Sequence, residues 1–136
     1  MALDKGLQGN ETIEKAILAL QEQTSQEMLA HALTVVRRRM KEGGQLIVAV
    51  DPSKASGQME VQILKTQDGR AWWAAFTSFE EEMKGSGAVM STFMADIRQL
   101  FEAVASEETI CGIIINPWDR TLMLNKALIR IVLGKE

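Results

Sequence analysis

The chain has few of the residue types that build catalytic and metal sites. Its 136 residues include one cysteine, one histidine and no tyrosine. One cysteine cannot form an internal disulfide, and a single histidine beside it leaves no spaced set of ligands for zinc. Cys111 lies in an apolar run, where a thiol behaves as a small hydrophobe, and His31 is expected to face solvent. We therefore expect no catalytic residue, no metal site and no cofactor.

The chain also lacks an excess of positive charge and any long apolar segment. Its formal net charge is -3, so it lacks the positive field on which nucleic-acid binding depends. No apolar run approaches the ~20 residues that span a bilayer, and the first residues have no apolar signal-peptide core of ~7–15 residues. We expect a cytoplasmic protein that binds neither nucleic acid nor membrane.

What is present fits an ordinary globular domain. Hydrophobic residues make up 46% of the chain and charged residues 24%, which argues against disorder. A chain of this length buries roughly 68% of its unfolded surface, enough for a core without a metal or a disulfide. We predict one domain over residues 10–136, preceded by a flexible N-terminus, residues 1–9.

The first third of the domain predicts a helical hairpin. Asn10 is the predicted N-cap of a first helix, and Thr24 with Glu27 has the spacing of a capping box for a second helix that ends at residues 43–44. The basic residues between 37 and 41 suit the negative end of that helix, and we expect them to be solvated.

Strand signals follow the glycines. The apolar run 46–50 predicts a buried strand, and Asp68-Gly69 predicts a tight turn between a strand that includes Met59 and Val61 and a Trp-rich strand. Residues 110–115 are apolar on both faces, which predicts a central strand covered on two sides. Residues 121–124 predict a further strand, and 126–133 a final helix ended by Gly134.

Two helices are predicted between these strands. Ser78 and Glu81 have capping-box spacing for a short helix that ends by Gly85, and the carboxylates at 80–82 suit its positive end better than a metal site. A longer helix, with Ser91 or Thr92 as its cap, is predicted from apolar residues at helical spacing. These residues are Phe93, Ile97, Leu100, Phe101 and Val104. The whole order predicts an α+β domain with a mixed or antiparallel sheet of about five strands packed with helices.

A candidate site follows from the strand ends. If the Trp strand and residues 110–115 run parallel, their carboxyl ends meet at one sheet edge, where binding residues are common in α and β proteins. Trp72 and Trp73 face opposite sides of their strand, and one of the tryptophans is a candidate anchor for a partner. Pro117 is expected to keep Asn116 extended. The candidate partner-binding residues are Trp73, Thr77, Ser78, Glu80, Asn116, Pro117 and Trp118. The alternative is that they serve only as core, cap and turn residues.

The order of these motifs resembles a known family. Phe76-Thr77-Ser78 follows an Asp68-Gly69 hairpin, an apolar strand ends in Asn116-Pro117, and a further strand and a closing helix come after it. With the opening helix pair, this resembles the N-terminal domain of the SseB family, named for enhanced serine sensitivity. The resemblance implies a cytoplasmic bacterial α+β domain without established enzymatic activity. It also implies that longer relatives carry a second domain, whose function residues 1–136 would lack.

Three functions remain open on these grounds. The first is a non-enzymatic protein-interaction or adaptor module. The second is a sensor of a small molecule such as an amino acid, with a pocket lined by Trp73 or Trp118, and the third is an uncharacterised enzyme. Because the candidate edge is acidic and aromatic, a basic peptide or an amine suits it better than a phosphate. Three tryptophans and eight methionines favour a homodimer or a partner-bound state.

Overall fold

The computed structural model describes residues 7–50, 63–83, 91–118 and 121–134. Within these residues the helices are α1 (Glu11–Glu22), α2 (Gln26–Lys41), α3 (Phe79–Met83), α4 (Ile97–Ser106) and α5 (Lys126–Leu133). The strands are β1 (Gln45–Val50), β2 (Ile63–Lys65), β3 (Ala71–Ala75), β4 (Ser91–Asp96), β5 (Gly112–Ile115) and β6 (Leu122–Asn125). The predicted strand residues Met59 and Val61 and the predicted helix stop at Gly85 lie outside the described residues.

The strands form two sheets. One has the order β2-β3-β5-β6, with β3 and β5 parallel and the other pairs antiparallel. The other sheet pairs β1 with β4 in antiparallel register. An antiparallel bridge between Ile47 and Phe76 joins them through two backbone hydrogen bonds. The predicted α+β class with a mixed sheet and an N-terminal helical hairpin is confirmed.

The two faces of the sheets have separate apolar clusters. On one face, α1, α2, α4 and α5 pack on side chains of β1, β3, β5 and β6 in one main cluster. On the other face, Leu7, Ile47, Ala49, Ala74 and Phe76 form a smaller cluster. Adjacent residues of a strand point to opposite faces, so β1 and β3 contribute to both. Each position of β5 is buried, as predicted for a central strand.

Strand β4 corrects the prediction of one long helix with Phe93 in it. Phe93 lies in β4 opposite Val48, and the helix begins only at Ile97. Phe93 and Ala95 pack on the main cluster while Thr92 and Met94 are exposed, which is a period of two. Pairing with β1 gives this segment backbone hydrogen bonds across the sheet, and one more turn of helix would remove them.

The helix starts differ in part from the predicted caps. The N-cap of α2 is Ser25, whose Oγ accepts from Met28 N at 3.2 Å, and the predicted cap, Thr24, instead donates to Leu20 O. Asn10 lies at the N-cap position of α1, as predicted, but its side chain makes no cap hydrogen bond. Of the predicted flexible N-terminus, Leu7 is described and buried, and its carbonyl accepts from Asn10 N.

The predicted cap of the long helix, Ser91 or Thr92, is wrong, because both residues lie in β4 and the N-cap of α4 is Asp96. The predicted turn at Gly69 and the predicted helix ends at Ser78 and Gly134 are confirmed. Gly69 has a φ of 83° in the turn between β2 and β3, and Ser78 Oγ accepts from Glu81 N at the start of α3. Gly134 caps α5 in the left-handed region. His31 is exposed, as expected. No helix among the described residues has both the length and the apolar character needed to cross a bilayer.

Candidate functional site

The parallel pairing on which the predicted site depends is present. Ala75 at the end of β3 lies opposite Ile115 at the end of β5, and Asn116 N donates to Ala75 O at 2.8 Å. The segments that follow the two strands therefore leave the sheet side by side. We call these segments, residues 76–80 and 116–118, the carboxyl edge.

Thr77 is held in place by two asparagine side chains. Its N–H donates to Asn116 Oδ1 at 2.9 Å, and its carbonyl accepts from Asn10 Nδ2 at 3.1 Å. Asn116 Nδ2 also donates to Thr77 Oγ1 at 3.0 Å. Thr77 is 1% exposed and Asn116 0%. These two candidate site residues therefore form the buried frame of the edge and do not themselves face solvent.

Asn116 takes up an unusual backbone conformation. Its φ is 55°, in the left-handed region, so the predicted extended conformation is wrong. A following proline disfavours the right-handed helical region, and asparagine enters the left-handed region more readily than most residues. The conformation turns the amide of Asn116 back to Thr77, and Thr121 Oγ1 donates to the Asn116 carbonyl at 2.8 Å. The amide of Asn116 thus holds the turn that follows β5.

The helical hairpin reaches the same frame. Thr77 Oγ1 donates to Glu14 Oε2 of α1 at 2.5 Å, and Asn10 Nδ2 donates a further bond to Gln45 O at 2.8 Å. Arg39 Nε of α2 donates to Asn10 Oδ1 at 3.0 Å. A continuous set of polar contacts thus joins both helices to the ends of β1, β3 and β5.

The burial of Arg39 corrects the prediction that the basic residues ending α2 are solvated. Arg39 is only 7% exposed, and its Nη1 pairs with Glu42 Oε1 at 3.0 Å. Gly9 and Gly44 leave room for the guanidinium, since an added Cβ would lie 3.1 Å from Nη1 or 2.9 Å from Nη2. Arg39 follows Val36 by three residues on the buried stripe of α2, and this spacing was the signal in the sequence.

The exposed part of the carboxyl edge is aromatic and acidic. Trp118 is 37% exposed and Phe79 is 43% exposed. Glu80 is exposed, and Ser78 and Pro117 are half-buried. Phe79 and Trp118 each lie two residues along the chain from the hydrogen-bonded pair, Thr77 and Asn116, so both are presented at one end of the sheet. The predicted set of site residues does not include Phe79.

Trp73 does not belong to this surface. It is half-buried, packs on the main cluster, and lies opposite Ile113 in the middle of the sheet. Thr77 lies four positions further along the chain, roughly 13 Å away at the usual rise of an extended chain. Trp72 faces the other side and is buried. The structure therefore brings six of the seven candidate residues together and leaves Trp73 apart.

Two carboxyl groups of the described residues have a lowered pKa, and both lie away from the carboxyl edge. A hydrogen bond from the Thr66 hydroxyl is the main cause that lowers the pKa of Asp68, in the turn between β2 and β3. The hydroxyl of Thr109 likewise lowers the pKa of Glu107, after α4. Both groups stabilise turns. In the described part of the chain, no three His, Cys, Asp or Glu side chains converge as metal ligands.

One family model matches the chain. It is that of the SseB protein N-terminal domain, and it covers residues 13–130, from α1 to within α5. No curated protein and no solved structure shows significant similarity to the chain. The match includes the β3 and β5 strands and both segments of the carboxyl edge. The chain therefore belongs to the SseB family, and residues 13–130 correspond to its N-terminal domain.

Proposed function

We propose that the chain is a non-enzymatic cytoplasmic protein-interaction module, and that its carboxyl edge binds a basic peptide segment of a partner protein. The observation that carries this proposal is the exposure of Trp118 and Phe79 on a buried, hydrogen-bonded frame. Tryptophan is the residue type most enriched among the side chains that dominate binding energy at protein interfaces.

The frame favours binding because it sets the shape of the surface in advance. The backbone N–H and carbonyl of Thr77 are both satisfied by asparagine side chains. The backbone of the two segments that carry Phe79 and Trp118 therefore loses little conformational freedom when a partner binds. Binding to such a pre-organised surface loses less conformational entropy than binding to a mobile loop.

The acidic residues at the carboxyl edge favour a positively charged partner. Glu80 is exposed and follows Phe79 directly in the chain, and Glu14, half-buried, accepts a hydrogen bond from Thr77 Oγ1. Glu11, in the first turn of α1, is also exposed. A lysine or arginine of a partner can lie on the ring face of Trp118 while its charge is attracted to Glu80. A phosphate would meet repulsion at the same place.

The test compares two labelled peptides of equal length that contain proline and so remain extended, one rich in Lys and Arg and the other in Asp and Glu. We expect fluorescence anisotropy to show binding of the basic peptide alone, weakened by added salt because the attraction is electrostatic. Trp118→Ala and Glu80→Lys should each weaken binding by about tenfold or more. Both side chains are exposed, so the melting temperature should change by less than about 2 °C.

Matched variants control for charge and for lost apolar area. Glu108→Lys makes the same charge change on an exposed residue near the amino end of β5, and Ile63→Ala removes a side chain that is exposed in β2. Both should bind the basic peptide normally. If Trp118→Ala and Glu80→Lys also bind normally, or if they unfold, these residues serve only as turn and cap residues.

The alternative of an amino-acid sensor has a different signature. A ligand at about 100 times its dissociation constant stabilises the folded state by about 2.7 kcal/mol. A clear rise in melting temperature with one amino acid of a panel would favour the sensor over the adaptor. Reproducible turnover that one substitution abolishes would favour an enzyme. Light scattering that shows a dimer would identify a second copy as a partner.

A further inference from the structure

A shallow groove lies between α2 and α5, and none of its residues belongs to the carboxyl edge. Its volume is about 180 Å³. Ile131 borders it and is 55% exposed, more than any other large hydrophobic side chain in the described part of the chain. Covering such a side chain removes apolar surface from water, which favours association. The lining residues are Ala30, Leu33, Thr34, Arg37, Ile131 and Val132.

Arg37 supplies the single charge among these lining residues. Its Nη2 lies 3.0 Å from the position that a Cβ at Gly134 would occupy, so its guanidinium lies over the C-terminal end of α5. Within the described residues Arg37 has no ion pair or hydrogen bond, whereas Arg39 pairs with Glu42. Its N–H donors are therefore available for a carboxylate.

We propose that this groove binds an amphipathic helix of a partner protein, which presents an aliphatic side chain and a carboxylate one turn apart on the same face. The aliphatic side chain packs between Leu33 and Ile131, and the carboxylate pairs with Arg37. Residues three or four apart share a helix face, so one turn of helix supplies both groups. A third helix fits because the ridges of one helix pack into the groove between two others.

The charge of the groove argues against a second copy of this chain as the occupant. A symmetric contact places the same surface of each copy opposite itself. Both copies would then contribute Arg37 and the exposed Arg130 of α5 to one interface. Opposing like charges disfavour such a contact. A helix that carries carboxylates replaces this repulsion with attraction.

The probes for the test are two stapled helical peptides with the same leucines on one face, which differ in carrying glutamates or lysines beside them. We expect the glutamate helix to bind and the lysine helix not to bind. Arg37→Glu should weaken the glutamate helix by about tenfold or more and allow the lysine helix to bind. Ile131→Ala should weaken the glutamate helix without lowering the melting temperature, because its side chain is exposed.

Arg38→Glu is the matched control, since Arg38 is the exposed neighbour of Arg37 and does not line the groove. It should bind the glutamate helix normally, as should Trp118→Ala, which separates this site from the carboxyl edge. Absence of binding by the glutamate helix, or equal losses for Arg37→Glu and Arg38→Glu, would overturn the proposal. A homodimer in light scattering that Ile131→Ala dissociates would overturn it by showing a second copy as the occupant.

Discussion

Asparagine side chains take the place of backbone partners at the carboxyl edge. Asn116 accepts the N–H of Thr77, and Asn10 donates to the carbonyls of Thr77 and Gln45. Asn10 also accepts from Arg39. A buried polar group left without a partner costs about 1–3 kcal/mol. Each asparagine therefore stabilises the fold through several groups that its loss would leave unpaired.

Asn10→Asp distinguishes this buried role from that of a helix cap. Aspartate is as good an N-cap as asparagine, so a capping residue would tolerate the change. In the buried frame the new carboxylate has no donor for the two carbonyls, and the stronger attraction to Arg39 offsets only part of that loss. We expect urea unfolding to show a free energy of unfolding lower by about 2 kcal/mol.

Ser25→Asp is the matched control, since Ser25 is the observed N-cap of α2. It should change the free energy of unfolding by less than about 0.5 kcal/mol, because serine and aspartate cap helices equally well. Equal, near-zero effects of the two substitutions would mean that the contacts of Asn10 contribute little to stability.

At the scale of the elements, β5 organises the site. It pairs in parallel with β3 on one side and antiparallel with β6 on the other. The parallel pair brings the segments of the carboxyl edge together, and the antiparallel pair leads directly into α5. The close approach of β5 and β6 depends on Gly112, because a Cβ there would lie 2.0 Å from the Leu124 carbonyl oxygen.

Gly112→Ala tests this dependence. The added methyl group meets backbone, which cannot rotate away, so β5 and β6 must separate and lose hydrogen bonds. We expect thermal unfolding to show a loss of about 3 kcal/mol or more, or no folded protein. For comparison, Gly69→Ala adds a methyl group in open space at a φ of 83° and should cost about 1 kcal/mol. Losses of similar size in both would contradict the proposed steric cause.

For the whole molecule, the shared core predicts a single unfolding unit. The main cluster contains Ile13 and Ile17 of α1 together with Ile129 and Val132 of α5, so both ends of the domain pack on one core. Trp73 packs against the same cluster. The helical hairpin therefore should not persist when the sheet unfolds.

We expect far-UV circular dichroism and tryptophan fluorescence to give the same urea midpoint, as in two-state unfolding. Helical signal that remains after the fluorescence transition would show that the hairpin is stable by itself.

The sequence by itself determined the elements whose signals lie within a few residues. Apolar spacing marked α1, α2 and α5, Asp68-Gly69 marked the turn between β2 and β3, and continuous apolar character marked β5 as a central strand. Such features depend on local backbone preferences and on the period of the apolar residues, which any stretch of chain carries with it. The sequence does not show that β3 and β5 are parallel; the candidate site was predicted only for the case that they are.

The tertiary structure alone decided the contacts between residues far apart in the chain. Asn10 and Thr77 are 67 positions apart, and Asn10 and Arg39 are 29 apart. No local pattern therefore shows that the side chains of a residue at a helix start and of an apparent surface arginine meet in the interior. The segment of β4 is likewise a strand because its backbone pairs with that of β1. A buried polar group takes whichever partner the fold brings within hydrogen-bonding distance, and that choice is made by packing over the whole domain.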